Sequence, residues 1–410
     1  MKSNKLNKIE LLSPAGDMER LKASIDFGAD AVYLAGNEFG MRTSSSNFSL
    51  KELDEAVKFA HSRDVQVYLT CNTVPRNDEI KRLPEFLKEV EKIGVDALII
   101  SDIGVMELAK KYAPNVEIHI STQAGVANYM TANTLYNLGA KRVVLARELS
   151  LDEIRFIKDN VPNDLELEVF VHGSMCVSFS GRCLISNYMT GRDANRGDCA
   201  QPCRWKYHLT EENRPGEYFP IEEDSKGTYF FNSKDLCMID YIDKLIESGA
   251  SSLKIEGRAK SAYYTSVVTN AYRHAIDDYY NDKDNWSLKP WIKDEINKVS
   301  HRPYSNGFFF GKEPGQHYES GGYIRDYDVV AICDDYKDGI ATISQRNKFL
   351  KGDTLDVLPP LGGEPFLINV SELYDEWNNP VESAPHAMQK LFLKTDVPIK
   401  VGSIFRKKRL

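Results

Sequence analysis

Five of the seven cysteines in this 410-residue chain lie between residues 176 and 237. They are Cys176, Cys183, Cys199, Cys203 and Cys237. Thiolates are ligands for zinc and for iron–sulfur clusters. Such clustering, in a chain that is expected to be cytoplasmic and therefore reduced, indicates a metal site rather than a disulfide framework. Cys71 and Cys333 lie in apolar runs and are predicted to be core residues.

The spacing of the five cysteines favours one kind of metal centre. Six residues separate Cys176 from Cys183, and no CxxC pair, which structural zinc sites prefer, is present. An iron–sulfur cluster is therefore the leading interpretation, with zinc and unligated thiols as alternatives. Cys176, Cys183 and Cys199 are the first three predicted ligands, and Cys237 is preferred to Cys203 as the fourth.

Polar side chains at the ends of predicted strands are the other candidates for chemistry. We assign catalytic roles to His172, Arg147, Glu256 and Arg258, and substrate-binding roles to Asn72, Gln123 and Asp102. The two arginines suit the carboxylates of a small anionic substrate, and His172 suits proton transfer or support of a metal ligand. The alternative is that some of these residues only pair with one another, as Glu256 and Arg258 could.

A repeated pattern supplies the elements that must position these residues. A Gly follows each of several helical stretches and precedes a short apolar run, as in residues 93–100 (IGVDALII), which is typical of alternating helices and buried strands. Eight strands are predicted, at residues 9–12, 31–34, 65–70, 97–101, 116–121, 142–146, 167–171 and 252–255. They predict a TIM-type (β/α)8 barrel over residues 1–290. The alternative, a doubly wound sheet, would need a Gly-rich phosphate motif that the sequence lacks.

The interval between the seventh and eighth strands is unusually long. Residues 172–251 form a cysteine-rich insertion that contains all five clustered cysteines. Loops that follow barrel strands lie at the C-terminal face, where barrel enzymes hold their active sites. The sequence therefore predicts a metal centre at the barrel mouth.

The remainder of the chain differs from the barrel. Short strands separated by Gly, Asp and Pro predict a small β-barrel domain at residues 300–410. The basic run at residues 405–410 (FRKKRL) is interpreted as a solvated tail. A net charge of −8 argues against non-specific coating of nucleic acid, although a local basic site is compatible with it. No signal peptide or membrane-spanning run is apparent, so we expect a cytoplasmic protein.

Several segments resemble peptidase family U32, the collagenase-like proteins. They are residues 12–16 (LSPAG), 121–123 (STQ), 168–176 (EVFVHGSMC), 180–186 (SGRCLIS), 195–205 (NRGDCAQPCRW), 233–237 (SKDLC), 254–258 (KIEGR), 352–356 (GDTLD) and 384–386 (APH). The resemblance runs over most of the chain and is most specific in the cysteine segment.

The resemblance implies oxygen-independent RNA hydroxylation. In length and C-terminal domain the chain is most similar to the members that convert the wobble uridine of tRNA to 5-hydroxyuridine, with prephenate or a similar small anion as the hydroxyl source. It implies a 4Fe–4S cluster on Cys176, Cys183, Cys199 and Cys237, with Cys203 as the other possible fourth ligand.

Two further functions stay open at this point. The family name implies a peptidase, but the sequence contains no HExxH zinc motif and no GxSxG nucleophile motif. A non-catalytic metal-binding adaptor is the other alternative.

Overall fold

The computed structural model describes residues 8–41, 47–176, 181, 183–205, 234–311, 323–360 and 362–409. The strands of the first domain are β1 (Glu10–Pro14), β2 (Ala31–Ala35), β3 (Gln66–Cys71), β4 (Ala97–Ile100), β5 (Glu117–Ile120), β6 (Arg142–Val144), β7 (Glu166–Ser174), β8 (Asp235–Cys237), β9 (Ser252–Ile255) and β10 (Tyr304–Ser305). Strands β1 to β7 pair in sequence order, and β9 pairs in parallel with both β7 and β1. The predicted eight-stranded parallel barrel is therefore confirmed.

Strand β7 is longer than predicted. It continues past residue 171 to Ser174, and its last three residues pair antiparallel with β8, a short strand within the insertion. The small strand β10 then pairs with β8. The insertion is thus fastened to the barrel by its strand β8, which lies between β7 and β10.

Helices surround the barrel and fill the connections between strands. They are α1 (Met18–Asp26), α2 (Leu50–His61), α3 (Asn77–Ile80), α4 (Leu83–Ile93), α5 (Ile103–Tyr112), α6 (Tyr129–Asn137), α7 (Leu151–Asp159), α8 (Ile185–Thr190), α9 (Ile242–Glu247), α10 (Ala262–Asn281) and α11 (Pro290–Asn297). Helices α2 and α7 begin with reciprocal capping boxes, formed by Ser49 with Glu52 and by Ser150 with Glu153. No helix in the described ranges is both long and apolar enough to cross a membrane.

The C-terminal domain is built on one antiparallel sheet of seven strands. The strands of this domain are β11 (Tyr327–Lys337), β12 (Ile340–Gln345), β13 (Phe349–Leu350), β14 (Thr354–Leu358), β15 (Phe366–Asn369), β16 (Glu372–Tyr374), β17 (Ser383–Ala384), β18 (Lys390–Lys394) and β19 (Ile404–Lys408). The sheet order is β15-β14-β19-β11-β12-β18-β16, while β13 and β17 form a separate pair. A hydrophobic cluster that includes Val330, Ile343, Leu355 and Phe405 fills this domain.

The basic run at residues 405–410 is not a solvated tail, contrary to the prediction. Most of it forms β19, which pairs with β11 and β14. Arg406 is fully buried, and its guanidinium lies 2.6 Å from Glu295 of α11 and 3.0 Å from Asp356 of β14. Lys298 contacts the same two carboxylates at 2.6 Å each. These four charges join the two domains.

We expect Arg406→Met to lower the free energy of unfolding by about 3 kcal/mol, because it leaves buried carboxylates with less compensation. Arg409→Met, which removes the exposed contact with Asp328, is the control and should change that free energy by less than about 1 kcal/mol. Urea unfolding followed by circular dichroism measures both. Equal, small effects of the two substitutions would contradict the structural importance of the buried network.

Candidate active site at the barrel mouth

A cavity of about 210 Å³ opens at the C-terminal end of the barrel, and we refer to it as the mouth pocket. All eight barrel strands run in parallel, so the residues at their C-terminal ends meet around this opening. The barrel residues that line it include Tyr33, Thr70, Asn72, Ser121, Gln123, Arg147, Phe170, Ser174, Lys254, Glu256 and Arg258.

Four of the five clustered cysteines line the same pocket. Cys176 follows the end of β7, and Cys183, Cys199 and Cys203 lie on the segment that leads away from it. We call the described residues of this segment (175–176, 181 and 183–205) the cysteine loop. It therefore covers the barrel opening, as the sequence predicted for the insertion.

Local contacts hold the cysteine loop in place. The amide of Asn195 donates to the carbonyl of Cys183 at 2.8 Å, and the backbone N–H of Gln201 lies 3.4 Å from the Sγ of Cys199. Gly181 has a φ of +78°, and a Cβ there would lie 2.0 Å from the carbonyl oxygen of Gln123. Glycine is therefore required where the cysteine loop crosses the end of β5.

Four thiols line the mouth pocket together. No group of three His, Cys, Asp or Glu side chains in the described parts of the chain could hold one metal ion. All seven cysteines are in those parts, and none forms a disulfide. The donor chemistry is that of a soft-metal site.

Cys237 lies apart from the other four cysteines. It ends β8, where it pairs with His172 of β7, and it is buried. Burial raises the pKa of its thiol to about 12. It does not line the mouth pocket, whereas Cys203 does. The preference for Cys237 over Cys203 as fourth ligand does not agree with these positions.

Arg147 and Glu256 lie side by side in the pocket wall. The Arg147 guanidinium is 3.6 Å from the Glu256 carboxylate, donates to the carbonyl of Ser174 at 3.0 Å and lies 3.9 Å from the centre of the Phe170 ring. Both side chains are mostly buried. These contacts hold the Arg147 charge on the pocket wall, where it can bind an anion.

Arg258 provides a second fixed positive charge. It is 4% exposed, donates to the hydroxyl of Thr70 at 3.2 Å and contacts the carbonyl of Met41. The alternative in which Glu256 pairs with Arg258 does not describe the Glu256 carboxylate, which lies beside Arg147. The two arginines, held by different neighbours, offer positive charges of the kind that bind carboxylates.

Asn72 and Gln123 form a polar side of the pocket. The Asn72 amide donates to the hydroxyl of Ser121 at 3.2 Å, and its oxygen accepts from the backbone of Met41 at 3.1 Å. The Ser121 hydroxyl also accepts from the backbone N–H of Gln123 at 3.2 Å. The fixed amide of Asn72 and the side chain of Gln123 can donate to and accept from a substrate.

His172 does not reach the mouth pocket. It is 1% exposed and is surrounded by the rings of Tyr264, Tyr272 and Tyr304, with ring centres 5.4–6.0 Å away. Neither ring nitrogen has a hydrogen-bond partner among the described residues. Burial, assisted by His301 and Lys260, lowers its pKa to about 3, so it is neutral at physiological pH. This environment favours a packing role over proton transfer with a substrate.

Asp102 also lies outside the pocket lining. Its carboxylate accepts from the backbone N–H of Val105 at 3.0 Å and caps the first turn of α5. A polar residue directly after a strand can either line the pocket or cap the next helix, and Asp102 caps the helix.

Lys254 lines the pocket and was missed as a site residue. Its ammonium is 2.7 Å from Glu168, which is fully buried, and Glu168 also contacts Arg142 at 3.1 Å. Arg142 in turn contacts Glu10 at 2.5 Å. Burial alone would raise the pKa of Glu168, but Lys254 and Arg142 outweigh it and lower that pKa. The sequence feature that could have identified Lys254 is a charged residue within an otherwise apolar strand.

Comparison with known proteins gives matches over nearly the whole chain. The model of peptidase family U32 matches residues 16–319, and that of its C-terminal domain matches residues 325–406. The protein named tRNA hydroxylation protein P1 of Bacillus subtilis is 38% identical over 405 residues, which cover 98% of this chain and 95% of that protein. The tRNA hydroxylation protein P of Helicobacter pylori is 44% identical over 74% of this chain and 72% of its own length. A collagenase of Porphyromonas gingivalis is 32% identical over 76% of each chain.

The neutral His172 predicts a specific pH dependence of stability. Its pKa in the folded protein lies below the unfolded value of about 6.5, so only the unfolded chain takes up the proton as pH falls from there towards 3. Between pH 7.5 and pH 5 this group should therefore remove about 2 kcal/mol of stability. His172→Leu should lose that part of the pH dependence, as measured by urea unfolding at both pH values. An unchanged difference between the two pH values would contradict this assignment.

Proposed function

Because the chain belongs to peptidase family U32, and two similar proteins are named tRNA hydroxylation proteins, we propose that it is an RNA-modifying enzyme that hydroxylates tRNA. The specific reaction that we propose is oxygen-independent conversion of the wobble uridine to 5-hydroxyuridine, with prephenate as the source of the hydroxyl group. A tRNA substrate would place the protein in the cytoplasm. The observation that carries the proposal is one pocket that combines four thiols with fixed arginines and amides.

The pocket residues have distinct parts in this proposal. A base that is to be modified must leave its stack and enter a pocket that contacts its polar edge. Asn72 and Gln123 offer the donors and acceptors that the edge of a uracil needs. Arg147 and Arg258 offer charge for the carboxylates of prephenate, and Glu256 would hold Arg147 in position through their 3.6 Å contact.

We propose that Cys176, Cys183, Cys199 and Cys203 bind a 4Fe–4S cluster. Four thiolates complete the usual ligand set of such a cluster, which supplies electron transfer when bound. The absence of a paired CxxC knuckle, which structural zinc sites prefer, supports a cluster over zinc.

A peptidase is the second candidate because one similar protein is named a collagenase. The arrangement of His172 gives that reading little support. The one cysteine that pairs with it along the strands is Cys237, and both are buried away from the mouth pocket. Cleavage of a collagen peptide by the purified protein, without any effect on tRNA, would favour the peptidase.

The proposed ligand set predicts the effect of cysteine substitutions on metal content. Protein purified without oxygen should contain about four irons and four sulfides per chain, in line with a 4Fe–4S cluster. Cys203→Ser should lose most of that iron, because it removes one of the four thiolates. Cys237→Ser is the matched control and should keep it. Loss of iron in the Cys237 variant alone would contradict this set, and stoichiometric zinc without iron would contradict the cluster.

The proposed reaction predicts a change in tRNA composition. Expression of the chain in a bacterium that lacks its own tRNA hydroxylation proteins should restore 5-hydroxyuridine, as measured by nucleoside mass spectrometry. Arg147→Gln should reduce the product by on the order of tenfold, because it removes a charged contact to the anionic co-substrate. Lys51→Gln, an exposed substitution on α2, should leave product formation unchanged. Absence of 5-hydroxyuridine with the wild-type chain would refute the proposed reaction.

A further inference from the structure

A second cavity of about 400 Å³ adjoins the mouth pocket, and we call it the side cavity. The two share Ser174, Gln201 and Glu256 as lining residues. The other residues that line the side cavity are Gly257, Ala259, Lys260, Ser261, Tyr263, Tyr264, Ser300, Tyr323, Arg325 and Tyr327. It therefore lies between the start of α10 and the segment that leads into β11.

Two cationic side chains lie near one aromatic ring of this cavity. The Lys260 ammonium lies 4.3 Å from the centre of the Tyr323 ring, and the buried Arg302 guanidinium lies 5.2 Å from the same centre. Arg325 is exposed and donates to the hydroxyl of Ser300 at 3.2 Å. These contacts orient the cations while leaving Lys260 and Arg325 on the cavity lining.

One acidic residue, Glu256, lies in the described lining of the side cavity. Its negative charge is compensated by Arg147 in the mouth pocket, whose guanidinium lies 3.6 Å from the Glu256 carboxylate. The 20-residue helix α10 also begins at the cavity, with Ser261 as its N-cap, so the positive end of its dipole adds to the two cations. The lining consequently favours an anion.

We infer that the side cavity binds the nucleotide that neighbours the target uridine in the RNA strand. Its phosphate would contact Lys260 and Arg325, and its base would pack against Tyr323 or Tyr327. This inference rests on the proposed function. Single-stranded RNA is recognised by cations along the backbone and by aromatic rings that stack on unpaired bases, and the side cavity supplies both.

The continuity of the two cavities favours a polymer over a second small molecule. An RNA strand carries a base and a phosphate at every step, so a base in the mouth pocket brings an adjoining nucleotide with it. The shared residues Ser174, Gln201 and Glu256 mark the place where the strand would pass. In the proposed function Arg147 and Arg258 of the mouth pocket already serve the small acid, which leaves the side cavity for the RNA strand.

The test compares charge variants of the full chain in their binding of a tRNA transcript with uridine at the first anticodon position. Lys260→Gln should weaken binding by on the order of fivefold and should reduce the slope of log affinity against log salt by about 0.7, the value for one lost phosphate contact on a single strand. Lys260→Arg should retain both, and Lys51→Gln, which removes the same charge on α2, should behave like the wild type. Fluorescence anisotropy at several salt concentrations gives these quantities, and the prephenate KM should not change.

Two results would overturn the inference and leave the proposed function intact. One is unchanged tRNA affinity and salt slope in Lys260→Gln while the wild type still forms 5-hydroxyuridine. The other is unchanged tRNA binding with a raised prephenate KM, which would assign the side cavity to the small anion. Failure of the wild type to bind tRNA at all would overturn both the inference and the proposed function.

Discussion

The pairing of β7 with three other strands is the constraint on which the site depends. Its first part closes the barrel between β6 and β9, and its last part pairs with β8. The chain leaves the barrel after β7 and must return to β9, so both ends of the insertion are fixed at the rim. The glycine at 173 has a φ of +110°, and a Cβ there would lie 2.5 Å from the Glu256 carbonyl. The ends of β7 and β9 therefore approach closely, and this brings Cys176 and Glu256 into one pocket.

The floor and the cover of the mouth pocket are built differently. Under the pocket, Glu10, Arg142, Glu168 and Lys254 form a buried network of alternating charges inside the barrel. Each carboxylate depends on a cation from another strand, so the network fixes the strands relative to one another. The cover is the cysteine loop, held by backbone and side-chain hydrogen bonds of its own. A rigid floor beneath a separately built cover would suit the proposed site, which is to hold a small acid and also admit a base.

Periodicity predicted the barrel well because alternation of helices and buried strands is a local property. All eight strands followed from it, as did the position of four of the five clustered cysteines at the barrel mouth. The direction in which individual side chains point could not be predicted from this pattern. His172 was expected after β7, but the strand continues to Ser174, so His172 packs among tyrosines instead. Asp102 caps the next helix and does not line the pocket. Cys203 and Cys237 are separated by the path of a long insertion, which sequence spacing does not report.

The place of β19 in the C-terminal sheet has a consequence for how the chain matures during synthesis. It follows every other strand of its sheet in the sequence, yet it lies between β14 and β11. Until the ribosome has released it, that sheet has a gap at its centre, and Glu295 on α11 lacks the guanidinium of Arg406. The salt-bridge network that joins the two domains therefore cannot be complete before β19 has been synthesised.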